Sequence, residues 1–219
     1  MARVRRYRRP VCRLRRGYRR SFRRRIRRVA KRNLRFKFTK VDSLDVTLND
    51  NHSYWINFTP DSLPEYVQLA PNFECCKFTK VVVRVMPMQN VSNNTTSQMP
   101  AYCMVPWKDK PSLLSKGFSS IMSVDKARMY RGTACGRQTY IPACHSYTYQ
   151  DTTATEKSSP DRIVYRPVIR FTRANNDIDL YCGLIMFQGF ADMAQDYKAH
   201  YNIKIDVYGV FYNQSTINI

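Results

Sequence analysis

The stretch "KFTKVVVRVM", residues 77–86, decides the fold class. Within it Val81, Val83 and Val85 lie on one face of an extended chain, and Lys80 and Arg84 lie on the other. Strict alternation of apolar and charged residues is typical of a β-strand that buries one face and exposes the other. The stretch therefore predicts a long half-buried strand, and its pattern can be sought along the rest of the chain.

Seven further stretches have the character of strands. They comprise residues 34–48, 54–58, 101–105, 137–149, 162–171, 180–187 and 201–211. Residues 180–187, "LYCGLIMF", are apolar at both parities, as in a strand buried on both faces. Short helices are predicted only within residues 60–70 and 112–129, and the lack of βαβ alternation disfavours a parallel α/β fold. The sequence predicts an all-β, eight-stranded antiparallel jelly-roll sandwich.

Positive charge is concentrated at the amino terminus. Residues 1–40 hold 20 of the 37 Lys and Arg and no Asp or Glu, so residues 41–219 hold 17 basic and 16 acidic residues, a net of +1. Such asymmetry predicts a polyanionic or membrane-surface partner. Dense like charge with few apolar residues favours disorder. We therefore predict a disordered Arg-rich arm over residues 1–33 and a jelly-roll domain over residues 34–219.

The residue types of the arm match nucleic acid. Arginine forks fit phosphate oxygens bidentately, and Tyr7, Tyr18 and Phe22 can stack on unpaired bases at about 1–3 kcal/mol each. A nuclear-import signal needs only about 5–8 basic residues, so import alone does not explain the length of the arm. The residues predicted to bind nucleic acid and direct nuclear localisation are Arg3, Arg5, Arg6, Arg8, Arg9, Arg13, Arg15, Arg16, Arg19, Arg20, Arg23, Arg24, Arg25, Arg27, Arg28, Lys31 and Arg32.

Basic residues can also bind a membrane or line the inner surface of a shell. The apolar residues of the arm are too few and scattered to form the apolar face of a membrane-active helix, so no membrane insertion is expected. In the body, Arg84, Arg162, Arg166 and Arg170 are predicted to add phosphate contacts on the inner surface if their strand faces look inward. The alternative for these four arginines is a solvated outer face or ion pairs between subunits.

No catalytic, cofactor or metal site is predicted. His52, His145 and His200 stand in no metal-ligand spacing. Cys144 and His145 are adjacent, so on a strand they point to opposite faces and cannot form a dyad directly. Phosphate-binding glycine loops and the nucleophile elbow are absent from the sequence. Seven cysteines without a disulfide framework, and no visible secretory signal, indicate a reducing compartment.

These features together resemble the capsid proteins of circular single-stranded DNA viruses of the circovirus and cyclovirus type. Residues 73–87, "FECCKFTKVVVRVMP", are similar to that family's strand of alternating basic and apolar residues, and residues 201–213, "YNIKIDVYGVFYN", to its closing strand. The chain is shorter than better-known circovirus capsid proteins and has little after its last strand. This departure leaves the genus open, and the cyclovirus type is the one we expect.

The resemblance implies a subunit that self-assembles into a T=1 icosahedral shell of sixty copies and packages circular single-stranded DNA through its arm. It also implies location in the virion and the host nucleus, contact with the nuclear-import machinery, and attachment to sulfated glycans on host cells. From the residues alone an alternative stays open, a cellular nucleic-acid-binding module of chromosomal or ribosomal type. Such proteins usually spread basic charge over the body, so the near-neutral body favours the capsid.

Overall fold

The computed structural model describes residues 33–47, 49–88, 99–109, 117–146, 162–171, 178–190 and 198–214. Residues 1–32 of the basic arm lie outside these residues, so the predicted disorder of the arm and its boundary at residue 33 stay predictions. Eleven strands occur in the described part of the chain. They are β1 (Leu34–Thr47), β2 (His52–Phe58), β3 (Phe73–Pro87), β4 (Tyr102–Pro106), β5 (Arg128–Tyr130), β6 (Gly136–Tyr140), β7 (Ala143–Ser146), β8 (Arg162–Tyr165), β9 (Val168–Arg170), β10 (Leu180–Phe187) and β11 (Lys198–Gln214).

Two short α-helices accompany the strands in the described part of the chain. Helix α1 (Pro64–Leu69) lies between 3-10 turns at Pro60–Ser62 and Ala70–Asn72, which confirms the helix predicted there. Helix α2 (Phe118–Met122) occupies only five residues of the second predicted helical stretch. No helix among the described residues is long and apolar enough to cross a membrane.

The strands form two antiparallel sheets. The five-stranded sheet runs β1-β11-β3-β6, and β9 pairs with β3 beside β6. The six-stranded sheet runs β5-β4-β10-β7-β8, and β2 pairs with β10. Buried residues of both sheets pack into one core, in which β3 contributes valines and β10 contributes the apolar residues facing them. This two-sheet architecture confirms the predicted all-β jelly-roll class.

The sequence predicts eight strands and the described residues form eleven. Two prolines account for most of the difference. The stretch 137–149 divides into β6 and β7 at Pro142, and the stretch 162–171 divides into β8 and β9 at Pro167. Proline has no N–H to donate to a ladder, so pairing stops there. In both stretches the two halves then join different sheets. The remaining additional strand is β5. It lies at the end of residues 112–129, the stretch for which the sequence predicts a helix.

A bulge in β3 shifts which side chains face the core. Tyr208 of β11 is opposite Lys80, but Gly209 is opposite Phe78, so Thr79 is the extra residue. Because one residue is inserted, the buried positions change from odd, as at Val81, to even, as at Phe78. The simple alternation read from the sequence therefore holds only for residues 80–86.

The two sheets differ in how their outer faces are covered. All eight residues of β10 are buried, as the sequence predicts for residues 180–187. A second apolar cluster covers the far side of β10 and β4, where Ile121 of α2 packs with Leu184 and Met186 beside Trp55 and Trp107. The five-stranded sheet carries polar and charged residues on its far side instead. No element of the described residues packs on this far side, which is the candidate functional surface.

Candidate nucleic-acid interface

The outward side of the five-stranded sheet carries a concentration of cations, which we call the basic face. Phe38, Val83 and Ile205 point into the core. The residues directly before and after each of them on the strand therefore point outward. Each cation of the face is at least partly exposed. The basic face comprises Arg35 and Lys37 of β1, Lys77, Lys80 and Arg84 of β3, Arg137 of β6, Arg170 of β9 and Lys204 of β11.

Strand register places several of these cations side by side. Lys204 is directly opposite Arg84, and Arg84 is directly opposite Arg137, so three strands contribute one row of positive charge. Like charges directly opposite each other destabilise a sheet. Folding alone therefore gives no reason for this row, whereas a bound polyanion would stabilise it.

Asp206 is a buried acid at the centre of the basic face. Its side chain is 0% exposed. Thr39 donates a hydrogen bond from Oγ1 to Asp206 Oδ1 at 2.8 Å, and Lys37 Nζ lies 3.2 Å from the same oxygen. Arg84 Nη1 lies 3.8 Å from Oδ2, an atom that accepts no hydrogen bond. The carboxylate thus fixes one lysine and one arginine whose side chains remain 44% and 39% exposed.

The protonation of Asp206 follows from two opposed effects. Burial by itself raises the pKa of the carboxyl group. The hydrogen bonds from Thr39 and Lys37, and the charges of Lys37 and Lys204, lower the pKa by more than burial raises it. The net pKa is lowered, so Asp206 is an anion at neutral pH and offsets part of the surrounding positive charge.

An aromatic residue also lies within the basic face. Tyr208 of β11 has Lys37 of β1 opposite it on one side and Lys80 of β3 on the other. Lys80 Nζ lies 4.6 Å and Lys37 Nζ lies 6.0 Å from the centroid of the tyrosine ring. Both distances are within the usual range of a cation–π contact. The face therefore combines a group of cations with a part-exposed aromatic ring.

The four arginines predicted as phosphate contacts do not form one surface. Arg84 and Arg170 belong to the basic face. Arg162 is exposed on β8 of the six-stranded sheet. Arg166 is exposed at the corner between β8 and β9, where its φ is 51° and its N–H donates to the carbonyl of Pro142 at 2.8 Å. The part played by each arginine in phosphate binding stays a prediction.

Six residues of the basic face were not predicted from the sequence as phosphate contacts. They are Arg35, Lys37, Lys77, Lys80, Arg137 and Lys204. The signal available was the parity of each strand, because Lys80 and Lys204 alternate with apolar residues in the same way as Arg84. The pattern within each strand does not reveal the strand order, which places β1, β11, β3 and β6 side by side.

The described residues contain no group of three or more His, Cys, Asp or Glu side chains placed to hold a metal ion. Cys144 and His145 occupy β7, where adjacent residues point to opposite faces. Nε2 of His145 instead lies 2.5 Å from the carbonyl oxygen of Lys108.

The fold has clear likenesses among viral shells. The BFDV capsid protein in its 60-mer crystal structure aligns with a TM-score of 0.62 and 13% identity, over 85% of this chain and 97% of that chain. The decameric form of the BFDV capsid protein aligns with a TM-score of 0.56 and 13% identity, over 82% of this chain and 99% of that chain. At such identity the likeness concerns the fold, and the fold is that of a jelly-roll capsid subunit.

Sequence comparison defines the family within that class. Residues 2–215 match the family model described as Circovirus capsid protein. The chain is also 36% identical over 194 residues to the capsid protein of Human associated cyclovirus 1, covering 88% of each chain. The chain belongs to the circovirus capsid protein family, which confirms the resemblance read from the sequence. Its role is structural rather than enzymatic, its place is the virion, and the alternative of a cellular chromosomal or ribosomal protein is excluded.

Proposed function

We propose that this capsid protein assembles into a closed T=1 shell of sixty copies and packages a single-stranded DNA genome against its basic face and its arm. The observation that carries the proposal is the row of cations on the outward side of the five-stranded sheet, which no described element of this capsid subunit covers. A shell subunit needs one surface for the genome, and this face keeps an excess of positive charge that Asp206 offsets only in part. The sixty-copy state is supported by the likeness to a capsid protein that forms a 60-mer.

The arm supplies the larger share of the charge in this proposal. Residues 1–32 contain 17 Lys and Arg and no acidic residue. Phosphate contacts by such residues carry no sequence information, so the genome is held by charge rather than by base sequence. The same residues direct the protein to the host nucleus through the import machinery. Attachment to sulfated glycans stays a prediction from the resemblance.

The role of the basic face is tested by removing three of its charges without touching Asp206. The test variant of the full chain carries Lys80→Gln, Arg137→Gln and Lys204→Gln. The matched control carries Lys126→Gln, Arg128→Gln and Arg131→Gln, three exposed cations outside the basic face. Each lost phosphate contact lowers the slope of log K against log salt by about 0.7 for single strands, so the test variant should lose about 2.

Two measurements read the result. Titrations of single-stranded DNA at several salt concentrations give the slope, and the ultraviolet absorbance of purified particles gives their nucleic-acid content. The test variant should lower both, and the control should lower neither. Equal effects of the two variants would show that the basic face has no special part in binding the genome.

A further inference from the structure

Tyr208 lies on the open side of the basic face. Its neighbours in β11, Val207 and Gly209, are buried, and Tyr208 is part-exposed on the opposite side of the strand. The cross-strand partners on its two sides are both lysines, Lys37 and Lys80. A large aromatic ring therefore lies on the outward side of the sheet with a cation on either side.

The backbone around Tyr208 is held by the bulge in β3. Thr79, the extra residue of the bulge, donates a hydrogen bond from Oγ1 to the carbonyl oxygen of Tyr208 at 3.1 Å. An added Cβ on Gly209 would lie 2.2 Å from Cζ of Phe36, so the backbone of the next residue lies directly on a core ring. These contacts fix the strand beneath the tyrosine, so the ring projects from a rigid support.

We propose that Tyr208 is a stacking platform for an unpaired nucleobase, with Lys37 and Lys80 binding the phosphates on either side of that base. The proposal rests on the proposed function of the basic face. Stacking of a base on an aromatic ring is stronger than a cation–π contact at an exposed site. A bound strand therefore gains by placing a base on the ring while the lysines move to its phosphates.

The proposal gives the basic face a preference that charge alone does not supply. In a duplex the bases are paired and stacked within the helix, so only phosphates reach a sheet surface. An unpaired base can turn out and lie on an aromatic side chain, as on other single-strand-binding surfaces. The face should therefore favour single-stranded over double-stranded nucleic acid, without preference for sequence.

Site-resolved cross-linking separates Tyr208 from the arm in the full chain. An oligodeoxynucleotide containing 5-iodouracil is bound, irradiated and digested with trypsin, which cuts after Lys204 and releases residues 205–219. The cross-link is expected at Tyr208 in this peptide, retained in Tyr208→Phe and lost in Tyr208→Leu. Tyr212→Leu is the matched control, because Tyr212 is on the same strand but faces Cys75 rather than a lysine.

Binding to two ligands of equal charge tests the chemistry. Wild-type protein should bind oligothymidylate more tightly than an abasic oligomer of the same length, and Tyr208→Leu should weaken only the first, by about five- to tenfold. An equal loss on both ligands, or a cross-link only in the arm, would overturn the proposal. If neutralising Lys80, Arg137 and Lys204 left abasic binding unchanged, the function proposed for the face would fail instead, whatever Tyr208 does.

Discussion

At the scale of single residues, Asp206 sets how much charge the basic face presents. It is a buried carboxylate that accepts from Thr39 and pairs with Lys37 and Arg84. Without it these cations would repel each other across the sheet. With it, one acid holds them in place while much of each side chain remains exposed. The residue therefore stabilises the sheet at the expense of some positive potential.

Replacing Asp206 with asparagine should weaken the fold and strengthen binding. The variant loses the anion that accepts from Lys37 and pairs with Arg84, at a cost of about 1–3 kcal/mol at neutral pH. The basic face gains one net positive charge, so its affinity for single-stranded DNA should rise. Denaturant unfolding of the unassembled chain and a DNA titration measure the two effects, and a variant that lost stability without gaining affinity would contradict this account.

The same variant has a pH signature. Because the folded pKa of Asp206 is lowered, its contribution is present above the unfolded value of about 3.9 and is lost as pH falls through the folded pKa. The stability difference between wild type and Asp206→Asn should therefore shrink at acidic pH. Asp45→Asn is the control, because Asp45 is 60% exposed and its pairing with His200 should contribute less than about 1 kcal/mol.

Sequence alternation places Asp206 on the outer side of its strand but does not predict its burial. Of the groups that enclose it, Thr39 and Lys37 come from β1 and Arg84 comes from β3, and Thr39 is 167 residues away in the chain. Only the register of β1 against β11 brings them together. A single strand read by itself shows the direction of a side chain and not its neighbours.

At the scale of elements, backbone carbonyl groups need other donors where the strand ladders are interrupted. Cys182 is the extra residue where β10 shifts register against β2. Ile141 precedes Pro142 at the corner between β6 and β7. Lys108 donates from Nζ to the carbonyl oxygens of both residues, at 2.7 Å for Cys182. Burial lowers the pKa of Lys108. This lysine supplies donors where the ladders are interrupted.

Lys108→Met should loosen this corner. It leaves two carbonyl groups without their donor, at a cost of about 1–3 kcal/mol in the free energy of unfolding. The matched control is Lys126→Met, because Lys126 is 77% exposed and its loss should change stability by less than about 0.5 kcal/mol. Denaturant unfolding compares the two, and amide hydrogen exchange at residues 141–145 locates the change. Equal stability of the two variants would show that Lys108 does not hold the corner.

The eight predicted stretches all form strands, because hydrophobic periodicity is a local property. The corners at Pro142 and Pro167 are also visible as prolines within strand-like patterns. The exchange of each half into the other sheet could not be predicted, because it depends on which edges of β3, β7 and β10 are free to pair. The short strand β5 pairs with β4 and has too few residues to show a pattern.

At the scale of the whole molecule, a near-neutral total conceals a separation of charge. Residues 41–219 carry a net of +1, yet six cations of this segment belong to the basic face. The six-stranded sheet is covered by α2 and by Trp55 and Trp107. The body therefore has one apolar-covered side and one cationic side, which a sum over the sequence cannot reveal.

Because of this separation, the length of nucleic acid that a shell can hold is the sum of a contribution from the arm and a contribution from the basic face. In a sixty-copy shell, the 17 basic residues of the arm supply about 1,000 positive charges, each offsetting about one phosphate. The eight cations of the basic face less Asp206 leave seven charges per chain, or about 420 in the shell. Charge balance then predicts a single-stranded genome of roughly one to two thousand nucleotides, with the remainder neutralised by small cations.

Shortening the arm in steps tests this balance. As basic residues are removed from residues 1–32, the packaged length should fall in proportion and then level off at about 400 nucleotides, because the basic face still binds. Nucleic acid extracted from intact particles gives the length at each step. Neutralising Lys80, Arg137 and Lys204 in the armless chain should lower the remaining length further. A length that stays constant as the arm shortens would mean that charge does not set capacity, whereas a fall to zero would mean that the arm alone holds the genome.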